Sequence, residues 1–209
     1  MVHTTGTSLQ ERARRLDSAV RDRLFGIATE AFVQHGYDGA SLNAILAAAK
    51  MGKSSFFYYF LDKEDLFASV IEAAAARVGA AAGLHTLPAK PARFWPETLA
   101  ILEHWGAAAE REPGFVGLLR ALQPLRRTAN PRLVHVFDDV HRIHRSLLQR
   151  GIELGVVRND LGIDTLMALI DAVDLVLDDA FHRDPAPRED ALAAHRQRVI
   201  DTIQRIVRP

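Results

Sequence analysis

The 209-residue chain contains no cysteine. That excludes a disulfide framework, a thiolate metal site and a cysteine redox switch. It also lacks any excess of charge, since 26 Lys and Arg balance 26 Asp and Glu. The chain as a whole does not advertise attraction to a polyanion, so any such attraction must come from how its charges are distributed. Long apolar runs are missing too. The alanine-rich run at 73–84 is broken by Arg77, and the first twenty residues hold Glu11, Arg12, Arg14, Arg15 and Asp17. Neither a signal peptide nor a membrane span is expected, and the expected setting is cytoplasmic with no membrane partner. No nucleophile with a base, no carboxylate pair and no metal cluster has convincing spacing, so no catalytic residue, no metal and no cofactor is expected. What remains is 48% hydrophobic and 25% charged, the balance of a globular chain with a sizeable core.

Apolar spacing predicts an all-α chain of about nine helices. From Asp17 to His35, Val20, Leu24, Ile27, Ala28, Ala31 and Phe32 make one helical stripe, which Gly36 ends. Ser41 can cap a second helix at 42–49, and Lys50, Met51 and Gly52 form a short turn into a third at 53–60. Asp62 can cap a fourth that begins near Lys63 and runs to about Ala82. Pro88, Pro91 and Pro96 mark a linker, after which helices are expected at about 97–112, 114–122, 131–154, 164–181 and 188–207. Residues 1–17 are polar and read as a flexible arm, either solvated or, in the sharper alternative, laid against DNA.

Two short helices around a tight turn make a unit that reads DNA if its second helix presents a polar face. Phe56, Tyr59 and Phe60 fall on one side of that helix, and Lys53, Ser54, Phe57 and Tyr58 on the other. Lys53, Ser54 and Ser55 at its start have the length and chemistry to meet base edges in a major groove, and Ser41 with its helix N-terminus offers a phosphate grip. Over residues 1–60, seven bases face five acids, so this end is mildly basic.

The stretch GYDGASLNAILAAAKMGKSSFFYYFLDKEDLF, with Gly36, Tyr37, Ser41, Ile45, Ala49, Lys53, Tyr59, Phe60, Lys63 and Leu66 in register, resembles the N-terminal signature of the tetracycline-repressor (TetR) family of bacterial transcriptional regulators. The resemblance implies an N-terminal three-helix helix-turn-helix DNA-binding domain at 18–64 and a C-terminal helical ligand-binding and dimerisation domain at 65–209. It implies a ligand-responsive regulator, a repressor that a small molecule releases from a palindromic double-stranded DNA operator. It also implies that Lys63 contacts a phosphate. Two positions depart from the pattern. Lys50 stands where the turn glycine is usual, so the turn is expected to be re-routed with Gly52 in the permissive conformation. Phe57 stands where a tyrosine is usual, so Tyr58 or Tyr59 has to supply the lost hydroxyl. A helical interaction module with the same fold and no DNA is the rival that the neutral charge allows.

In the C-terminal part, Trp105, Phe115, Phe137, His141 and Met167 are expected to wall a core that holds the effector cavity. The resemblance places the homodimer interface on the last two helices, with Leu166, Ile170, Val173, Leu177, Val199 and Ile203 as candidates. His141 and His144 stand one turn apart, and Asp171, Asp174 and Asp178 form a stripe near His182. The carboxylates read as ion-paired or solvated and the histidines as part of the core, rather than either set as metal-binding.

Overall fold

In the computed structural model the described residues form ten α-helices and no strand. The structure describes residues 15–127, 131–182 and 189–209, and the described side chains exclude those at 126–127, 131, 137–140, 174–175, 178–182, 189–193 and 196. The arm before residue 15, Phe137, and the side chains of Asp174, Asp178 and His182 thus lie outside the described residues. The helices are α1 (Ser18–Gly39), α2 (Leu42–Ala48), α3 (Lys53–Tyr59), α4 (Lys63–Ala82), α5 (Phe94–Arg111), α6 (Phe115–Leu122), α7 (Pro131–Val140), α8 (Arg142–Glu153), α9 (Ile163–His182) and α10 (Glu189–Val207). Short 3-10 turns occur at Pro91–Arg93 and Gln123–Arg127. No described helix is long and apolar enough to cross a membrane. The chain divides into two compact units: residues through Leu84 with Glu103–Val140, and His85–Leu102 with His141–Pro209.

The first unit is built on the apolar face of α1. Asp17 caps that helix through its carboxylate, which accepts from Val20 N at 3.1 Å, and Leu24, Ala28 and Phe32 behind it are fully buried. Gly36, at φ 68°, interrupts the helical path and turns Tyr37 back onto the core. Phe32 and Tyr37 then lie 4.6 and 5.2 Å from the ring of Phe67 on α4. Each fully buried phenylalanine contributes about 1.5–3 kcal/mol, so this cluster fixes α1 against α4. On the other side α6 comes close because it begins at glycines. A Cβ at Gly114 would stand 2.4 Å from Thr29 Cγ2, and one at Gly117 would stand 2.8 Å from Val33.

The second unit packs Phe94, Leu148, Val157, Leu166, Met167, Ile170 and Val207 into a core of its own. Gly151 on α8 allows this, since a Cβ there would meet Val157 at 2.4 Å and Phe94 at 2.7 Å. The end of α10 is tied down where Arg158 N donates to Val207 O at 2.8 Å. Spacing alone predicts one helix over 131–154, but the chain breaks at His141 (φ −89°, ψ 1°), which yields the tenth helix. At the break the His141 ring stands with Nε2 3.2 Å from the buried carboxylate of Asp171.

Candidate nucleic-acid interface

The α2–turn–α3 unit stands on buried side chains. Ile45, Leu46 and Ala49 of α2 and Phe56 and Phe60 of α3 are all below 4% exposed. The Phe56 and Phe60 rings stack at 5.3 Å, and Phe25 of α1 lies 6.3 Å from Phe60. Ser41 caps α2, its hydroxyl accepting from Ala44 N at 3.4 Å. The turn does not take the expected route. Lys50 itself adopts the left-handed conformation at φ 52°, whereas Gly52 has ordinary extended angles (φ −71°, ψ 147°) and serves as the N-cap of α3. The reason is hydrogen bonding. With Lys50 left-handed, Lys50 N donates to Ala47 O at 3.1 Å and Met51 N to Leu46 O at 2.9 Å, closing the last carbonyls of α2 in a Schellman arrangement. That gain outweighs the roughly 1 kcal/mol that a side chain costs there.

Three polar ties set the unit's position. Lys63, at the start of α4, donates from Nζ to Tyr37 O at 2.7 Å, Ala40 O at 3.1 Å and Asp38 O at 3.5 Å, and lies 4.4 Å from the Tyr37 ring centroid. The Tyr37 hydroxyl stays protonated, its pKa pushed up to about 12 by burial and then by Glu64, Asp62 and Asp38. Arg23 of α1 donates from Nε to Ala49 O, the C-cap carbonyl of α2, at 3.0 Å. Asp65, buried in the first turn of α4, accepts from Leu61 N at 3.0 Å and pairs with Arg132 of α7. Arg132 also reaches Ser69 Oγ at 2.8 Å and Glu72 at 3.0 Å, and burial pulls its pKa down while Asp62 pushes it back up. Sequence reading missed Arg23 and Arg132, because their partners lie 26 to 67 positions away.

With its base packed, α3 turns Lys53, Ser54, Ser55, Phe57 and Tyr58 outward, Phe57 54% and Tyr58 58% exposed, while Tyr59 is half-buried. Ser41 is exposed beside them in sequence order on the α2 cap, and Lys63 is half-buried by its carbonyl contacts. The side chains named for base contact therefore share a solvent-facing helix surface.

Residues 27–70, which take in most of α1, the α2–α3 pair and the first turns of α4, match the family model of the tetR family of bacterial regulatory proteins. The chain is similar to the HTH-type transcriptional repressor AcnR of Corynebacterium diphtheriae, 27% identical over 158 residues covering 73% of this chain and 76% of that one. It is likewise similar to the HTH-type transcriptional repressor NicS of Pseudomonas putida, 29% identical over 156 residues covering 73% and 72%. Residues 27–70 thus carry the tetR-family segment, and over nearly three quarters of its length the chain is similar to two repressors. Its fold is that of a TetR family transcriptional regulator from Chloroflexus aurantiacus (TM-score 0.61, 22% identity, 95% of this chain and 98% of that one). A crystal structure assigned to the same family from Shewanella sp. PV-4 gives a TM-score of 0.61 at 18% identity, over 91% and 98% of the two chains.

Elsewhere among the described residues two recesses stand out. In the first unit an open cleft of about 1320 Å³ is lined by α1, α4 and α7. Its charges answer one another, Arg77 with Glu112 at 2.6 Å and Arg132 with Glu72 at 3.0 Å, so it reads as a solvated groove. In the second unit a cavity of about 190 Å³ lies among Phe94, Trp95, Thr98, Leu99 and Leu102 of α5, His144, Leu147 and Leu148 of α8, Val157, Ile170 of α9, and Val199, Ile200, Ile203, Gln204 and Val207 of α10. The residues expected to wall an effector cavity are not gathered there. Trp105 and Phe115 pack in the first unit, and His141 and Met167 in the second, His141 on Asp171 and Met167 within the core. Of the candidate interface residues, Leu166 and Ile170 point into the second unit's own core at 0% and 6% exposure. Ile170, Val199 and Ile203 line the cavity. Val173 and Leu177 are half-buried, while Leu169 and Val176 of α9 face out.

Proposed function

We propose that this chain is a DNA-binding transcriptional regulator of the cytoplasm, a homodimer that represses from a palindromic operator and leaves it when a small molecule binds. The observation that carries the reading is the outward face of α3, Lys53, Ser54 and Ser55 with Phe57 and Tyr58, held on buried Phe56 and Phe60. The flanking Ser41 cap and the Lys63 tie support it. In this reading Lys53, Ser54 and Ser55 meet base edges, Ser41 and the N-terminus of α2 take one phosphate, and Tyr58 takes another in place of the hydroxyl Phe57 lacks. Tyr59 braces the helix from behind. Lys63 acts on the backbone of the DNA partly through the corner it holds. Two such helices, about 34 Å apart in a dimer, reach successive major grooves. A molecule favouring the arrangement with the wrong spacing lowers operator affinity.

A salt titration of binding to the DNA upstream of the protein's own gene tests this. The expected result is a sequence-specific complex whose affinity falls steeply with salt, as phosphate contacts release counterions. The zero net charge favours one second reading, a helical interaction module. Absence of a specific complex, or one indifferent to salt, would end the regulator reading and leave that module as the reading to pursue.

A further inference from the structure

We propose that the 190 Å³ cavity of the second unit is the effector site and that its ligand is a small uncharged alcohol or phenol with one ring. This rests on the reading of the chain as a ligand-released regulator. Three features of the lining carry it. The first is size. A dry apolar cavity of about 150 Å³ admits benzene, whereas drug-sized ligands need roughly 300 Å³ or more, so this space takes one ring and a short substituent. The second is charge. Among the described residues no Asp, Glu, Lys or Arg lines the cavity, and an ion moved into such a lining would lose its hydration without a partner.

The third feature is two polar atoms left over in a largely apolar wall, whose amide side chain, Gln204, accepts from Arg208 at 3.0 Å. Thr98, 5% exposed on α5, and His144 on α8 each bury a polar atom, Oγ1 and Nδ1, that has no hydrogen-bond partner among the described residues. Buried groups of this kind are normally satisfied, so their presence beside a void points to an absent third party. Burial and the neighbouring His141 hold the His144 pKa down at about 4, so the ring is neutral at cytoplasmic pH. A neutral imidazole nitrogen is a donor or an acceptor according to tautomer, and a threonine hydroxyl is both. A ligand hydroxyl, which also donates and accepts, satisfies either arrangement; a carboxylate only accepts and brings a charge.

The test is calorimetric titration of the full chain, without DNA, with benzyl alcohol, toluene and benzoate, repeated on Thr98→Val. That substitution removes the unpartnered hydroxyl at constant shape and keeps the fold. Benzyl alcohol is expected to bind wild type about tenfold more tightly than toluene, with benzoate weakest, and the preference for the hydroxyl is expected to collapse in Thr98→Val. Binding of none of the three, equal binding of toluene and benzyl alcohol to wild type, or a preference for benzoate would overturn the proposal. So would an affinity that falls as protein concentration rises, which marks the cavity as the seat of a second copy. Because the readout needs no operator, failure of DNA binding would strike the regulator reading alone.

Discussion

An ammonium group has three donors, and at Lys63 all three are directed at carbonyls of the α1–α2 corner, those of Tyr37, Ala40 and Asp38. Removing it strands acceptors in a partly buried loop, and hydrogen bonds to charged groups are worth about 1.5–3 kcal/mol. Lys63→Ala is therefore expected to lower the unfolding free energy by about that much, seen as a lower urea midpoint at unchanged slope. An unmoved midpoint would mean that the lysine serves DNA alone. His144 gives a second test at this scale. Its folded pKa, held near 4 by burial and by His141, lies below the ordinary value of about 6.5. The unfolded chain thus takes up the proton first on acidification. Stability is flat above pH 6.5, falls by roughly 3 kcal/mol between pH 6.5 and 4, and falls no further on this account below. His144→Leu should abolish that limb in denaturation curves taken across the same range, and a limb of equal depth in the variant would assign it elsewhere.

At the scale of elements, the turn between α2 and α3 separates two glycine arguments. Lys50 holds the left-handed angle, and Gly52 does not. Lys50→Gly should raise stability by up to about 1 kcal/mol by relieving that strain, whereas Gly52→Ala, with open space around its Cβ, should lower it by up to about 1 kcal/mol because glycine is the better N-cap. A loss on Lys50→Gly, or a gain on Gly52→Ala, would reverse the assignment. Local chemistry explains why most boundaries were readable. Asp17, Ser41 and Asp62 each cap a helix through their own side chain, and the buried and exposed faces of α3 follow the spacing of Phe56 and Phe60. The break at His141 was not readable, because Leu133, Val136, Ile143 and Leu147 keep helical period across it and neither proline nor glycine marks it. The cavity was hidden for a related reason. Its wall mixes residues from α5, α8, α9 and α10, none distinguishable from plain core until the chain is folded.

For the whole molecule, the proposed operator complex sets two α3 helices on one frame, so what would join two copies matters as much as what touches DNA. Leu166 and Ile170 are consumed inside the second unit. The apolar surface left on α9 is instead Leu169, 36% exposed, and Val176, 65% exposed, two turns apart on one face with the small exposed Ala172 between them and the exposed Ala168 before them. Small residues let a partner helix approach, and Leu and Val supply the area, so this stripe is the face proposed for the second copy. A glutamate within it would be stranded in a desolvated contact, at a cost of several kcal/mol. Val176→Glu is expected to weaken self-association by roughly two orders of magnitude in sedimentation experiments, with an unchanged helical circular dichroism spectrum because the position is exposed. Operator affinity should fall with it, since the two half-sites are no longer linked. Leu166→Ala should behave oppositely, losing about 2–5 kcal/mol of folding stability through a core cavity. If Val176→Glu sediments as a dimer like the parent chain, the stripe is not the interface, and the two α3 helices must be spaced by some other surface.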